Sequence, residues 1–506
     1  MAANRPETDH RETIAFLSDP ATYGATGPVE RLETHISQVF LAGDKAFKLK
    51  RAVRFPYLDF STIERRRAAC AAELNLNRRT APELYLEIRA IVRRSGGRLA
   101  WGEDGEIADW VVVMRRFDQA QRLDAIAARG GLEPRLVHAL AAHIAAFHAE
   151  AEPRPGFGGG PGLAAVIAEN DTCLHAGLAA GFDAAQIAAL GERSRDWLGR
   201  VGDLLDCRRA AGKVRRCHGD LHLRNICVLD GKPVLFDCIE FSEGFASIDV
   251  LYDLAFLLMD LAHQGHGASA NRLLNRYLDL TGEDDGLAAM PLFLALRAGI
   301  RAHVAASAGN DAGEAQAYLA EALAALDAPR PRLVAIGGLS GTGKSTLAAA
   351  LAPELGARPG ARLLRSDVTR KRLFGLAPET PLPAAGYAPE VTGRVYAALR
   401  DRAAQTLRAG CCAIVDAVSL RPDERRSLAA VAAAAGVPFT GIWLDAPGAA
   451  MTARVAARRD DASDATAAVV ARQMEADPGA LDWQRIDAGG PPAAILAAAR
   501  TALGLT

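Results

Sequence analysis

The sequence predicts two regions of different fold class. A two-lobed α+β region covers residues 1–328, and an α/β region with a mainly parallel sheet covers 329–506. Three observations predict this. Strand-like alternation and a helix within the first 118 residues give way to helical apolar spacing, so a small mixed lobe (about 1–118) precedes a large helical one (about 119–328). The run LVAIGG (333–338) is a short buried-strand pattern that enters a glycine loop and then a helix, the opening of an α/β unit. Between them, APRPR (328–332) sets two prolines two residues apart, which ends the preceding helix and favours an extended connector.

Within the first region, HISQVFLAGDKAFKLK (35–50) reads as two strands around a turn at Ala42–Gly43–Asp44. A helix is expected from about Ser61 to Arg79, with Ser61 and Thr62 as candidate caps and Glu64 in the first turn. Strands are expected at 84–93 and 110–117, and mainly helix from Glu133 onward. His138, His143 and His148 recur every five residues, which turns each about 140° from the last on a helix, so they do not converge on one metal. In the second region CCAIVD (411–416) and FTGIWLDAP (439–447) are the further strands.

Bulk properties exclude several classes. Half of the 506 residues are hydrophobic and 24 % charged, the balance of a folded protein. A net charge of −1 gives no basic field for nucleic acid. The eight cysteines form no CxxC pair and read as reduced thiols. The N-terminus lacks the apolar core of a signal peptide, and no long uncharged apolar stretch appears, so a cytoplasmic protein with no membrane span is expected.

The most informative segment of the first region is CHGDLHLRNICVLDGKPVLFDCIEF (217–241). Asp220 and Asn225 stand five residues apart in a short loop, and an apolar strand then ends in Asp237. Kinase-type phosphoryl transfer needs such parts: one carboxylate to deprotonate an acceptor hydroxyl, and an amide plus a second carboxylate to hold Mg²⁺ through hard oxygens. HGDLHLRN, the downstream LFD and then Asp249…Asp253–Leu254–Ala255 resemble the aminoglycoside phosphotransferase family, which has a protein-kinase-like fold and phosphorylates small-molecule hydroxyls or amines. The resemblance implies Asp220 as catalytic base, Asn225 and Asp237 as metal ligands, and His218 and Asp253 as supports. It also implies a strand lysine that binds ATP phosphates and a helix glutamate that holds it. In AFKLK, Lys48 and Lys50 share one strand face. Lys50 is preferred because it ends the run, with Glu73 as its partner ahead of Glu64, and WVVVMRRF (110–117) as the strand that meets the adenine. An aminoglycoside would need a carboxylate cluster, for which Glu240, Glu243 and Asp260 are a loose set.

The second constellation is G-x-x-x-x-G-K-S from Gly338 to Ser345, after a strand and before TLAAALA. Gly338, Ser340, Gly341, Thr342 and Gly343 form a turn whose N–H groups face a phosphate. Lys344 reaches the β- and γ-phosphates, the Ser345 hydroxyl ligates Mg²⁺, and Thr346 follows in the helix. Asp416, at a strand end, is a second candidate metal ligand. Asp367 in LLRSDVTRKRLFG (363–375) is a candidate base, and Arg454, Arg458 and Arg459 form a candidate basic lid. SD-x-x-RK and R-x-x-x-RR resemble the P-loop kinases grouped with gluconate kinases, zeta toxins and polynucleotide 5′-kinases. End to end, the chain resembles bacterial fusions of an aminoglycoside-phosphotransferase-like domain with a P-loop kinase-like domain. ATP, Mg²⁺ and a small-molecule phosphate acceptor are the implied ligands, with two active sites. A single active kinase domain with a regulatory nucleotide-binding partner is the alternative.

Overall fold

Alternation over residues 37–50 folds as a hairpin of β2 (Ser37–Ala42) and β3 (Lys45–Lys50), with Gly43 at φ +58° in the turn. With β1 (Glu30–Glu33), β4 (Tyr85–Arg93), β5 (Leu99–Trp101) and β6 (Glu106–Arg115) they form a six-stranded antiparallel sheet ordered β1-β2-β3-β6-β4-β5. The computed structural model describes residues 10–24, 27–55, 58–178, 181–308, 312–327, 329–458 and 461–505. Side chains alternate across β3: Phe47 and Leu49 join one core with Phe40, Val111 and Val113, while Ala46 faces the other core with Cys70, Leu74 and Met114. Lys48 and Lys50 therefore share the face covered by the helix Ile63–Asn77. Thr62, not Ser61, caps that helix, its side chain accepting from Arg65 N at 3.3 Å. Arg66, Cys70, Glu73, Leu74 and Asn77, at helical spacing, make its buried face.

A second hairpin, β7 (Ile226–Leu229) and β8 (Lys232–Leu235), turns through Asp230 (φ +50°) and Gly231 (φ +77°). Two consecutive positive φ values match the twist of a two-residue hairpin turn. The register pairs Ile226 with Leu235, which sets Asn225 and Asp237 at the same open end.

The chain divides into two compact units, Met1–Gly159 with Asp206–Leu257, and Gly160–Leu205 with Leu258–Thr506. The seam at 328–332 lies inside the second unit; Ala328 itself is outside the described residues. That unit contains a five-stranded parallel sheet of β9 (Leu333–Gly338), β10 (Arg362–Arg365), β11 (Ala413–Asp416), β12 (Phe439–Asp445) and β13 (Gln484–Asp487), ordered β10-β11-β9-β12-β13. Val334 and Ile336 pack on one face with Leu347, Leu351 and Leu503; Leu333 and Ala335 pack on the other with Leu399 and Leu428. Both faces are covered at the centre of the sheet, so β9 and β11 are buried along their whole length and read as near-continuous apolar runs.

The outer strand β10 meets a polar helix face. Asn271, Asn275 and Asp279, four residues apart on the helix Gly267–Thr281, line up along it. Asn271 and Asn275 each donate to Ala361 O, at 3.0 and 3.1 Å, and Leu363 N donates to Asn275 Oδ1 at 2.7 Å. Buried Arg362 donates to Asp279 Oδ1 at 2.6 Å and Asp284 Oδ1 at 2.7 Å. One run among the described residues, Glu283–Ser307, is long and apolar enough to cross a membrane; 67 % of its apolar window is buried, as in a core helix.

Candidate active sites

In the first unit, the loop after Cys217 is fixed by a buried carboxylate. Asp253 accepts from His218 N at 3.1 Å and Gly219 N at 2.8 Å, and lies 3.1 Å from His148 Nε2. Two backbone donors on one buried carboxylate lock the path of the chain into Asp220. Asn225 Nδ2 donates to Asp220 O at 3.0 Å and Asp220 Oδ2 at 2.9 Å, so its planar amide turns the side-chain oxygen away from that carboxylate. His222 Nε2 lies 3.3 Å from Asp220 Oδ2.

Asp237 has φ +65°, a left-handed backbone that disfavours a residue with a Cβ. Its N–H donates to the Tyr85 hydroxyl at 3.1 Å, and the next N–H, of Cys238, donates to Asn77 Oδ1 at 2.8 Å. Lys48 Nζ stands between two carboxylates, 2.7 Å from Glu73 Oε1 and 2.5 Å from Asp237 Oδ1. Burial alone would pull the Lys48 pKa down; Asp237 and Glu73 outweigh it and raise the pKa well above its ordinary value. Burial would raise the carboxyl of Glu73, but Lys48 and Lys50 reverse that and hold it low.

Lys50 is placed differently from the sequence expectation. It is 0 % exposed and pairs with Glu73 and Glu240, so the accessible bridge to Asp237 belongs to Lys48. Both lysines reach Glu73, and they differ in burial: Lys48 is 8 % exposed and Lys50 is fully buried. Glu240, read with Glu243 and Asp260 as a loose carboxylate set, pairs with Lys50 and is only 4 % exposed at its side chain.

In the second unit the glycine loop joins β9 to the helix Lys344–Leu351. Gly338 (φ +133°) and Gly341 (φ +87°) cannot carry side chains: a Cβ would stand 2.6 Å from Leu444 O and 2.5 Å from Met451 O respectively. Gly343 has φ +98° but open space around it. Thr342 Oγ1 donates to Leu339 O at 2.9 Å, Ser340 N donates to Gln473 Oε1 at 2.8 Å, and Thr346 is exposed on the helix. Lys344 Nζ donates to Leu339 O at 2.9 Å; burial lowers its pKa, against the pull of Asp416 and Asp367. Ser345 Oγ donates to Asp416 Oδ2 at 2.6 Å, bringing the two candidate metal ligands together. Asp367 follows β10 on the same side, and desolvation raises its pKa, opposed by Arg365 and reinforced by Asp416.

The arginines differ in what they touch. Arg454 donates to Gly341 O at 3.4 Å, Thr342 O at 3.3 Å and Ala488 O at 2.9 Å, tying the loop to the residue that follows β13. Arg458 lies 3.8 Å from Asp461; Arg459 is outside the described residues. Arg365, which sequence reasoning passed over, donates to Asp461 Oδ1 at 2.7 Å and Ser345 Oγ at 3.3 Å and lies 3.5 Å from Asp416 Oδ2. Its position directly before Ser366–Asp367 was the available signal.

A family model described as the phosphotransferase enzyme family matches residues 41–293, half of the chain. The chain belongs to the phosphotransferase enzyme family. A second model, described as an AAA domain, matches residues 333–476 of this phosphotransferase. An uncharacterized protein of Mycobacterium tuberculosis is 33 % identical over 479 residues, covering 91 % of the phosphotransferase and 92 % of its own length. Among solved structures, a choline/ethanolamine kinase family protein from Mesorhizobium loti is 18 % identical with TM-score 0.38, covering 64 % of this chain and 96 % of its own. A gluconokinase from Sinorhizobium meliloti is 22 % identical with TM-score 0.25, covering 35 % and 93 %. The phosphotransferase thus carries a kinase-like α+β domain followed by an α/β P-loop domain, as the sequence resemblance implied.

Proposed function

We propose that this phosphotransferase has two ATP sites, one transferring phosphate to a small-molecule hydroxyl or amine in the cytoplasm, the other built on the glycine loop. The observation that carries the first is Lys48 Nζ bridging Glu73 and Asp237, with Asp220 and Asn225 hydrogen-bonded at the same hairpin end. Lys48, not Lys50, is the phosphate-binding lysine in this reading, and Glu73 aims it. Asp220 takes the acceptor proton. Asn225 and Asp237 offer an amide and a carboxylate oxygen, donors that suit Mg²⁺. When bound, Mg²⁺ neutralises charge developing on the phosphate oxygens. At the second site Gly338 and Gly341 pack so close to Leu444 O and Met451 O that no side chain fits, which supports the tight turn that a phosphate-binding loop ahead of a helix needs. Lys344 faces the phosphates, Ser345 and Asp416 supply hard oxygens for the metal, and Asp367 holds the acceptor proton.

The test is nucleotide stoichiometry on the full chain, followed by an ATP-consumption screen over sugars, amino alcohols, nucleosides and aminoglycosides. Two equivalents of the non-hydrolysable analogue AMP-PNP are expected. Lys48→Met should remove one and Lys344→Ala the other. A stoichiometry of one that Lys344→Ala abolishes would leave a single P-loop kinase and end the two-site reading.

A further inference from the structure

The Lys48 bridge leaves Lys50 without a place at the nucleotide, yet Lys50 is among the most deeply buried cations in the protein. Burying an ammonium costs several kcal/mol unless it is paired well, and an apolar side chain would fill the same space more cheaply. Its partners suggest why a charge stands there. Lys50 Nζ contacts both Glu73 and Glu240 and lies 5.4 Å from the centre of the Phe60 ring. Lys48 and Lys50 are two residues apart on one face of β3; Asp237 and Glu240 are three apart on the segment opposite.

That segment is tied at every residue. Asp237 N donates to the Tyr85 hydroxyl, Cys238 N to Asn77, and Ile239 N to His218 O at 3.0 Å. Glu240 is held by Lys50. The ties oppose a cost, because the left-handed backbone at Asp237 is disfavoured by about 1–3 kcal/mol in a residue of this kind. We propose that Lys50 and Glu240 are positioning residues: β3 grips the 237–240 segment at both ends, Lys48 on Asp237 and Lys50 on Glu240, and so holds the Asp237 carboxylate in its metal-ligating place before nucleotide arrives. The inference rests on the reading of Asp237 as a metal ligand. Lys50 never touches nucleotide; it acts through Glu240.

The two lysines then have separable signatures. Lys48 acts on phosphate with or without metal, whereas the clamp acts only where Asp237 matters. The experiment uses the full chain carrying Lys344→Ala, which silences the glycine-loop site, and titrates AMP-PNP by calorimetry in EDTA and in excess Mg²⁺. Glu240→Gln and Lys50→Met are expected to leave the affinity in EDTA within about twofold of the parent and to lower the Mg²⁺-dependent enhancement about tenfold. Lys50→Arg, which keeps the charge, should recover part of it. Lys48→Met should weaken binding in both conditions. Glu240→Gln is nearly isosteric and decides the matter if Lys50→Met does not fold. Retention of the full Mg²⁺ enhancement in Glu240→Gln overturns the clamp, as does an equal loss in EDTA and Mg²⁺, which is the mark of a general structural role. Asp237→Asn separates the two levels. If it leaves the enhancement intact, the metal-site reading itself fails. If it removes the enhancement while Glu240→Gln keeps it, only the clamp fails.

Discussion

Replacing Asp284 by Asn tests how firmly the helical segment holds the nucleotide-loop sheet. Asp284 is 3 % exposed; its Oδ1 accepts from Arg362 Nε at 2.7 Å and its Oδ2 from Arg402 Nη2 at 3.0 Å. Burial would raise its pKa, but the two guanidinium groups outweigh burial and bring it to about 2. The ordinary aspartate value is 3.8, so the difference of about 1.8, at about 1.36 kcal/mol per unit, makes the carboxylate worth about 2.5 kcal/mol at neutral pH. The folded pKa is depressed, so this stability is present above pH 4 to 5 and is lost as pH falls toward 2. Asp284→Asn should therefore destabilise the second unit by about 2.5 kcal/mol at pH 7, a drop of about 5 °C in its melting transition. By pH 3 the gap between variant and parent should shrink to about half. Calorimetric melts of both proteins at pH 7, 5, 4 and 3 provide the measurement. A variant as stable as the parent at pH 7, or a gap that stays constant or widens on acidification, would refute the assignment of the stability to this ion pair.

Two further outcomes follow from the sites. Asp220→Asn should leave Mg·AMP-PNP affinity at the first site within a few-fold and lower turnover on any acceptor found in the screen by about a hundredfold or more, the scale of losing a positioned base; unchanged turnover would remove Asp220 from the chemistry. Gly341→Ala and Gly343→Ala form a matched pair, both at positive φ. The first forces a Cβ to 2.5 Å from Met451 O and should abolish nucleotide binding at the loop, whereas the second meets nothing within 4 Å and should carry only the backbone penalty of about 1–2 kcal/mol. Equal effects in binding assays would contradict the close approach at Gly341.

The parts of the fold that were legible in the sequence are those whose signal is local. A period of two around Gly43, apolar runs at 333–338 and 411–416, and a glycine loop before a helix each announce themselves within a dozen residues. What was not legible depends on partners far along the chain. Lys48 and Lys50 are equivalent by alternation; they are separated by Asp237, 189 residues from Lys48, and by Glu240, 190 residues from Lys50. His148 appeared as one of three unrelated helix histidines, and its contact with Asp253 spans 105 residues. β1 has every side chain exposed and β5 is three residues long, so neither offers the alternation that marks a strand. Asn271, Asn275 and Asp279 carry no signal of their own in the sequence, because a helix face that grips a sheet edge has the same composition as one that faces water.

That grip has a practical consequence for dissecting the protein. The free side of an outer strand normally offers N–H and C=O groups to any strand that passes. Along Ala361–Leu363 those groups are taken by two asparagine side chains, which act as a stop to further sheet growth. A fragment cut at the prolines and beginning at Arg330 would lose the stop and leave Arg362 without Asp279 and Asp284. Its bare edge would be open to pairing with another copy, so aggregation of such a fragment would reflect the place of the cut. A fragment that begins ahead of Gly267 keeps the edge closed and is the natural starting point for expressing the nucleotide-loop region by itself.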